Sequence, residues 1–356
     1  MSLSVLLLSR YDRLGASSRL RLLDFIPGLA AHGISVTARP LLGDWYVEDL
    51  YDRRPPSLPR IAVAYGKRIG DLLRGRRYDV VWLEKEALPW LPACLERALL
   101  SGIPYVMDID DAWFLRYQAH PHPLVRRTLS TKFSVLARGA RLVVAGNPHL
   151  AQWARACGAR RVLVVPTVID LARYPPSAPP TPGGPVVVGW IGSPSSSRYL
   201  TLAGPSLARC PGIRFVTVGA APVDLPGIPV EHLPWSEATE TALLSSFDIG
   251  IMPLADGPWE RGKCGYKIIQ YMAAGRPVIA SPVGVNVDLV RHGVTGFLAG
   301  DREWEDALSR LAGDPALRRS MGAAGRREAE ERYTLQRAVP QLARALIEAA
   351  SGERER

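Results

Sequence analysis

Lys263-Cys264-Gly265-Tyr266-Lys267-Ile268-Ile269-Gln270-Tyr271-Met272-Ala273-Ala274-Gly275-Arg276-Pro277-Val278-Ile279-Ala280 is the stretch whose reading decides the fold. A loop carrying Gly265 and two lysines opens a short segment with an apolar stripe. Gly275 closes that segment, and a Pro-led β-branched run follows. The order predicts loop, helix, tight turn and buried strand. Backbone N–H groups at the start of such a helix, beside Lys263 and Lys267, make a seat for an anionic group such as a pyrophosphate. An ordinary βα connection has the same grammar, so the flanking sequence must decide between them.

Outward from that stretch, the 356 residues exceed one ordinary core and predict two domains. In the first half, strand-like runs at Val5–Leu8, Ile34–Ala38, Val80–Leu83, Tyr105–Met107 and Leu142–Val144 alternate with helical patterns at Ser17–Ala31, Ile61–Leu73 and Leu91–Leu100. Such alternation argues an α/β fold with a parallel sheet covered by helices. The Pro- and Gly-rich run Pro175–Pro185 reads as a linker. The grammar then restarts, with strands at Val186–Ile191, Arg214–Val218, Asp248–Met252 and Val278–Ala280 and a helix at Glu303–Leu311. A charged helical tail, Ala316–Ala350, closes the chain. The expected domains are 1–170 and 171–332, with a C-terminal helix in 333–356 packing across both.

Charge is lopsided. Of 44 Lys and Arg and 34 Asp and Glu, 24 and 14 respectively lie in residues 1–168, so the whole net charge of +10 belongs to the first half. A one-sided basic domain fits an anionic partner: a membrane surface, a phosphorylated acceptor or nucleic acid. Nucleic acid is disfavoured, because no helix-turn-helix, RNP or zinc pattern accompanies the charge. The basic residues are densest from Arg53 to Arg77, where they interleave with Ile61, Tyr65, Ile69, Leu72 and Leu73. Two readings stand for this helix: a segment lying on an anionic bilayer, or a core-packing helix with a solvated basic face. No apolar run approaches the roughly 18 residues of a membrane span. Residues Ser2–Ser9 lack a basic leader region and read as a first strand. The four cysteines (94, 157, 210 and 264) lack metal-ligand spacing, which suggests a reducing, cytoplasmic compartment.

Five pieces together resemble the family-4 glycosyltransferases: the loop Arg13–Arg19, the run Val165–Asp170, the segment Val188–Arg198, the strand Phe247–Leu254, and the opening stretch continued through Ser281–Asn286 and Gly293–Leu298. The resemblance covers nearly the whole chain and is strongest in its second half. It implies the GT-B fold, with two Rossmann-like domains facing a cleft and a C-terminal helix crossing back to the first domain. It implies retaining transfer from a nucleotide-diphosphate sugar to a polysaccharide, glycolipid or lipid-linked acceptor, with no metal and no cofactor beyond the donor. Arg198 and Lys267 then become catalytic cations at the diphosphate, because charge on that leaving group is the chief obstacle. The donor would also meet Gly15 and Ala16 of the first loop, Gly192, Ser193, Trp235, Lys263, Cys264 and Gly265. The family's two glutamates, spaced eight apart, fall on Gly262 and Gln270 here; Gln270 can still bond a ribose, and Glu260 is the substitute for the first.

Asp108-Ile109-Asp110-Asp111 closes a strand, at the end where α/β sites gather. Three readings stay open: Asp108 and Asp111 face the donor sugar and acceptor, the cluster caps a helix at Ala112-Trp113-Phe114, or it binds a divalent metal as in single-domain GT-A enzymes. His120 and His122 read as a loop tip rather than a metal pair. A nucleotide-sugar epimerase and a non-catalytic nucleotide-sugar-binding partner are the competing functions.

Overall fold

The computed structural model describes residues 2–175 and 184–351, so most of the expected linker, 176–183, lies outside the described residues. The chain divides into two compact units. Unit 1 holds the residues up to Val168, the tripeptide Gly262–Cys264 and the chain from Leu335; unit 2 holds Ile169–Arg261 and Gly265–Thr334.

In unit 1, strands β1 (Leu3–Leu8), β2 (Ile34–Ala38), β3 (Val80–Glu84), β4 (Tyr105–Ile109), β5 (Leu142–Ala145) and β6 (Val162–Val164) form one parallel sheet in the order β2-β1-β3-β4-β5-β6. Every residue of β3, β4 and β5 is buried, which is why these strands read as unbroken apolar runs. The chain turns one way after β1 and the other way after β3, so a crevice opens between their carboxyl ends. Arg10 and the triplet Glu84–Glu86 emerge there.

The helix expected at Ser17–Ala31 is broken into Ala16–Arg21, a 3₁₀ turn Leu23–Phe25 and Ile26–Ala31. Pro27 cannot sit in a helix interior and starts a new first turn instead. The basic helix, Leu58–Leu73, packs one face inward, as the core-packing reading expects: Leu72 is buried and Tyr65 packs against the unit 1 core. The helix also buries Arg68, while Leu58, Val63, Ile69 and Leu73 face outward. Arg68 donates to Ser9 O at 2.6 Å and Arg39 O at 2.9 Å, and burial lowers its pKa to about 10.

In unit 2, strands β7 (Val186–Ile191), β8 (Ile213–Val218), β9 (Val230–Leu233), β10 (Ile249–Met252), β11 (Val278–Ala280) and β12 (Gly296–Leu298) are again all parallel, in the order β12-β11-β10-β7-β8-β9. The switch point lies between β7 and β10. The opening stretch forms the expected helix, Tyr266–Ala273, and strand β11. Tyr271 locks that helix to the switch point, since its hydroxyl accepts from Ile191 N and donates to Ile251 O, both at 3.1 Å. The expected single tail is two helices, Pro315–Arg332 in unit 2 and Leu335–Ser351 in unit 1. They part where Ile169 N donates to Tyr333 O at 2.9 Å, a bond that a continuous helix would forbid. The second helix buries Ala338, Leu342 and Leu346 with Leu7 and Trp82 in the core of unit 1.

Candidate functional site

In unit 2, Ile191 of β7 leads into Gly192 and Ser193, and then a 3₁₀ turn, Pro194–Tyr199, carries Arg198. A Cβ on Gly192 would lie 2.5 Å from Lys267 Cε and 2.7 Å from the Trp190 ring, so only glycine lets Lys267 lie across this loop. Lys267 Nζ stands 5.4 Å from the Trp190 ring centroid, a cation–π approach. The lysine rises from the first turn of helix Tyr266–Ala273, at its positive dipole end. That helix is entered through Gly265 at φ +65°, a left-handed conformation that suits glycine. A cation and a helix N-terminus thus share the carboxyl edge of the sheet at its switch point.

Arg198 is exposed and reaches Tyr199 OH at 2.8 Å and Glu260 Oε1 at 3.5 Å; Tyr199 OH also bonds Glu260. Glu260 is buried and holds this pair in place. Ser193 Oγ bonds neighbours of its own turn, Ser195 Oγ at 3.1 Å and Ser196 Oγ at 3.5 Å. Trp235, just past β9, donates from Nε1 to Glu240 Oε2 at 2.8 Å. Gln270 is buried and donates from Nε2 to Tyr174 OH at 3.3 Å, while Tyr174 OH faces Glu240 Oε1 at 3.5 Å. Burial and the Glu240 carboxylate push the Tyr174 phenol up.

In unit 1, Gly15 precedes helix Ala16–Arg21 and accepts Arg19 N at 2.8 Å, with Ala16 exposed beside it. Asp108 is fully occupied. Arg21 grips both its oxygens at 3.1 Å, and Arg21 Nη1 also reaches Val165 O at 2.5 Å. Asp110 pairs with Lys85 Nζ at 2.8 Å, and Lys85 also meets Glu84 Oε1 at 2.9 Å. Asp111 lies 4.0 Å from Lys263 Nζ. Helix Phe114–Gln118 has Trp113 at its N-cap position, without a side-chain cap there. His122 caps helix Pro123–Leu129 by accepting Leu124 N at 3.3 Å.

The tripeptide Gly262–Cys264 is clamped by Asn147, whose Nδ2 donates to Gly262 O at 2.9 Å and Lys263 O at 3.0 Å. Cys264 donates its thiol proton to Asp110 O at 3.0 Å, and burial pushes that thiol up. A Cβ on Gly262 would lie 2.8 Å from the backbone N of Ala112, so a glutamate has no room there. The candidate residues therefore form two groups. Unit 2 holds Gly192, Ser193, Arg198, Trp235, Glu260, Gly265, Lys267 and Gln270; unit 1 holds Gly15, Ala16, Asp108, Asp111, Gly262, Lys263 and Cys264.

Sequence reasoning passed over Arg10, Glu84–Glu86 and Asn147. The signal for Glu84–Glu86 was present: three charges in a row directly after a wholly apolar strand. Lys85 sits at φ +61°, and Glu86 N donates to Glu84 O at 2.6 Å, closing a strained three-residue turn. Asn147 was legible as a helix cap before Pro148.

Burial raises the Asp108 pKa from 3.8 to about 6, against the pull of Arg21. A raised acid favours folding below its unfolded pKa, and that contribution is lost as pH climbs through about 6. Asp108→Asn should therefore gain stability relative to the wild type between about pH 4 and 7, by on the order of 2–3 kcal/mol. Thermal melts of both proteins across that range check the expectation; a difference that stays constant with pH contradicts it.

Residues 186–314 match the family described as "Glycosyl transferases group 1". A D-inositol 3-phosphate glycosyltransferase of Kribbella flavida is 31% identical over 143 residues, 39% of this chain and 30% of that relative. The chain therefore spans under a third of that relative's length. Among solved structures, Anabaena HepE in complex with UDP-glucose superposes with a TM-score of 0.70 at 18% identity, covering 96% of this chain and 99% of that one. Sucrose-phosphate synthase from Thermosynechococcus elongatus gives 0.72 at 16% identity, covering 99% and 100%. Residues 186–314 thus match a group 1 glycosyltransferase domain, and the chain has the two-Rossmann-domain fold seen in GT-B glycosyltransferase structures.

Proposed function

We propose that this chain is a retaining glycosyltransferase of family 4 that draws its sugar from a nucleotide diphosphate donor and needs no metal. One observation carries the reading: Lys267, placed across Gly192 at a helix N-terminus on the switch point of unit 2. A preorganised cation and helix dipole stabilise charge as it develops on a diphosphate leaving group, the work a metal would otherwise do. Arg198, held by Tyr199 and Glu260, adds a second cation. The UDP-glucose bound to HepE and the transferase activity in the name of the Kribbella flavida relative point the same way.

A partner that binds nucleotide-sugar without turnover is the second reading, favoured by Gly262, which has no room for an acid, and by Gln270, which is turned into a buried network. The test is a thermal-shift screen against UDP-, GDP-, ADP- and dTDP-sugars, followed by assay of donor hydrolysis and transfer. A shift with slow turnover supports the enzyme. A shift with no turnover over many acceptors supports the binding partner, and no shift with any donor removes both.

The acceptor is proposed to be a glycan, glycolipid or lipid-linked sugar, met by a protein resting on the inner face of an anionic membrane. No helix among the described residues is long and apolar enough to cross one. Support comes from helix Leu58–Leu73, where Leu58 is 73% exposed, Val63 58% and Leu73 67%. Leu58, Ala62, Ile69 and Leu73 recur at spacings that share one helix face. Exposed Arg60, Lys67, Arg74, Arg76 and Arg77 surround them, each contributing about 1 kcal/mol at an anionic surface. The protein should sediment with phosphatidylglycerol vesicles at low salt, much less at high salt, and Leu58→Glu with Leu73→Glu should abolish it. Equal sedimentation with neutral vesicles would remove the proposal.

A further inference from the structure

Across the carboxyl edge of the unit 1 sheet, aromatic rings and guanidinium groups alternate. Tyr46 stacks on Tyr11 with centroids 5.9 Å apart, and Arg10 lies 5.7 Å from the Tyr11 ring. Arg10 also lies 4.4 Å from the Trp113 ring, and Arg116 stands 5.0 Å from Trp113 and 5.4 Å from Trp90. These residues come from four separate segments, namely the loop after β1, helix Asp44–Tyr51, the loop after β3 and the region after β4. They meet only because the sheet brings those carboxyl ends together.

Three features are unexplained by packing. Trp90 keeps 41% of its surface exposed and sits at φ +63°, a conformation that a bulky residue adopts only when its surroundings force it. Arg116 is exposed, and among the described residues no carboxylate lies within ion-pair distance of it. Arg10 is buried to 7% exposure, yet its Nε has no hydrogen-bond partner. A buried guanidinium donor left unmatched is costly, and proteins keep one where a ligand completes it. Of the acids nearby, Glu86 accepts from Arg10 Nη1 at 3.4 Å but leaves Nε unmatched, and it is shared with Lys132. Glu84 and Asp110 pair with Lys85, Glu96 with Lys132, and Asp108 with Arg21.

We infer that this ladder is a binding surface for an anionic saccharide, a sugar bearing a phosphate or a carboxylate. The exposed Trp90 face and the Trp113 edge take the apolar face of the sugar ring, while Arg10 Nε and Arg116 take the anion. Guanidinium suits that task, because its planar fork matches both oxyanions. The inference deepens the transferase reading by naming the acceptor's chemical class, and it rests on that reading for the acceptor role.

The test uses the full chain and three probes that differ only at carbon 6: glucose, glucuronate and glucose 6-phosphate. Binding is followed by intrinsic tryptophan fluorescence. At least one anionic sugar should bind about tenfold or more tightly than glucose. Which one it is tells phosphate from carboxylate. Arg116→Gln, an exposed site, should shrink that gap at least threefold while leaving glucose affinity unchanged. Trp90→Leu should weaken all three sugars by the same factor. Equal affinity for the three, binding of none, or a preference untouched by Arg116→Gln overturns the inference. The donor screen is run on the same samples. If sugars bind but no nucleotide-sugar shifts the melt, the transferase reading fails and the ladder stands; the reverse result fails the ladder alone.

Discussion

Lys267→Ala should lower kcat for sugar transfer by roughly 10²–10³-fold and abolish the donor-induced thermal shift, with the melt of the free protein little changed. The size follows from the geometry. Lys267 is half-buried beside the Trp190 ring and is delivered to the switch point by a helix that Tyr271 bonds to both β7 and β10. Its position costs no rearrangement when charge develops on the donor, which is the property that makes a fixed cation effective. Lys267→Arg should not restore activity. Cε of the lysine already lies only 2.5 Å from where a Cβ on Gly192 would be, and a broader planar fork has little room past that loop. Arg198→Ala should show a milder loss, because Arg198 is exposed and its charge is screened. Steady-state kinetics and thermal shift on the three variants decide the matter. An unchanged shift in Lys267→Ala would remove Lys267 from the donor site.

Gly262→Glu, which restores the acid the family pattern places there, should destabilise the protein by roughly 3 kcal/mol or more and should not raise turnover. Any side chain at 262 meets Ala112, with Cβ 2.7 Å from Ala112 Cβ and 2.8 Å from its backbone N. A backbone atom cannot swing aside as a flexible side chain can. The tripeptide would have to lift, breaking the two bonds from Asn147 and the Cys264 thiol bond to Asp110 O. Gly262→Ala should show a smaller loss of the same sign. For a unit of this size each kcal/mol lowers the melt by about 2–4 °C, so calorimetry resolves both. A stable Gly262→Glu with faster transfer would mean that the loop has freedom this packing denies it.

The switch-point loop was therefore legible in the local sequence, while the fate of the two positions where the family-4 resemblance expects glutamates was not. Helix Tyr266–Ala273, its entry at Gly265 and strand β11 follow from spacing alone. That Gln270 turns inward to Tyr174 does not, because the pair is 96 residues apart in the chain. The stripe on helix Leu58–Leu73 was legible in part: Tyr65 and Leu72 pack inward as its spacing expects, while the burial of Arg68 beside them was not. Hydrophobic periodicity finds a face, but which face is buried depends on what the fold offers it, and here β1 and its neighbours offer carbonyl oxygens that Arg68 satisfies.

By itself the sequence determined two parallel α/β units, the location of the switch-point loop in the second, and a first half carrying all the excess charge. Each of these is written in local pattern: strand runs, glycines at turns, and counts of Lys and Arg. Tertiary structure alone decided which charges are spent and which remain for a ligand. Glu84 accepts the backbone N–H of Arg10 across 74 residues, Arg21 meets Asp108 across 87, and Asn147 meets Gly262 across 115. Strand order creates those meetings, and no window of sequence contains both members of any such pair.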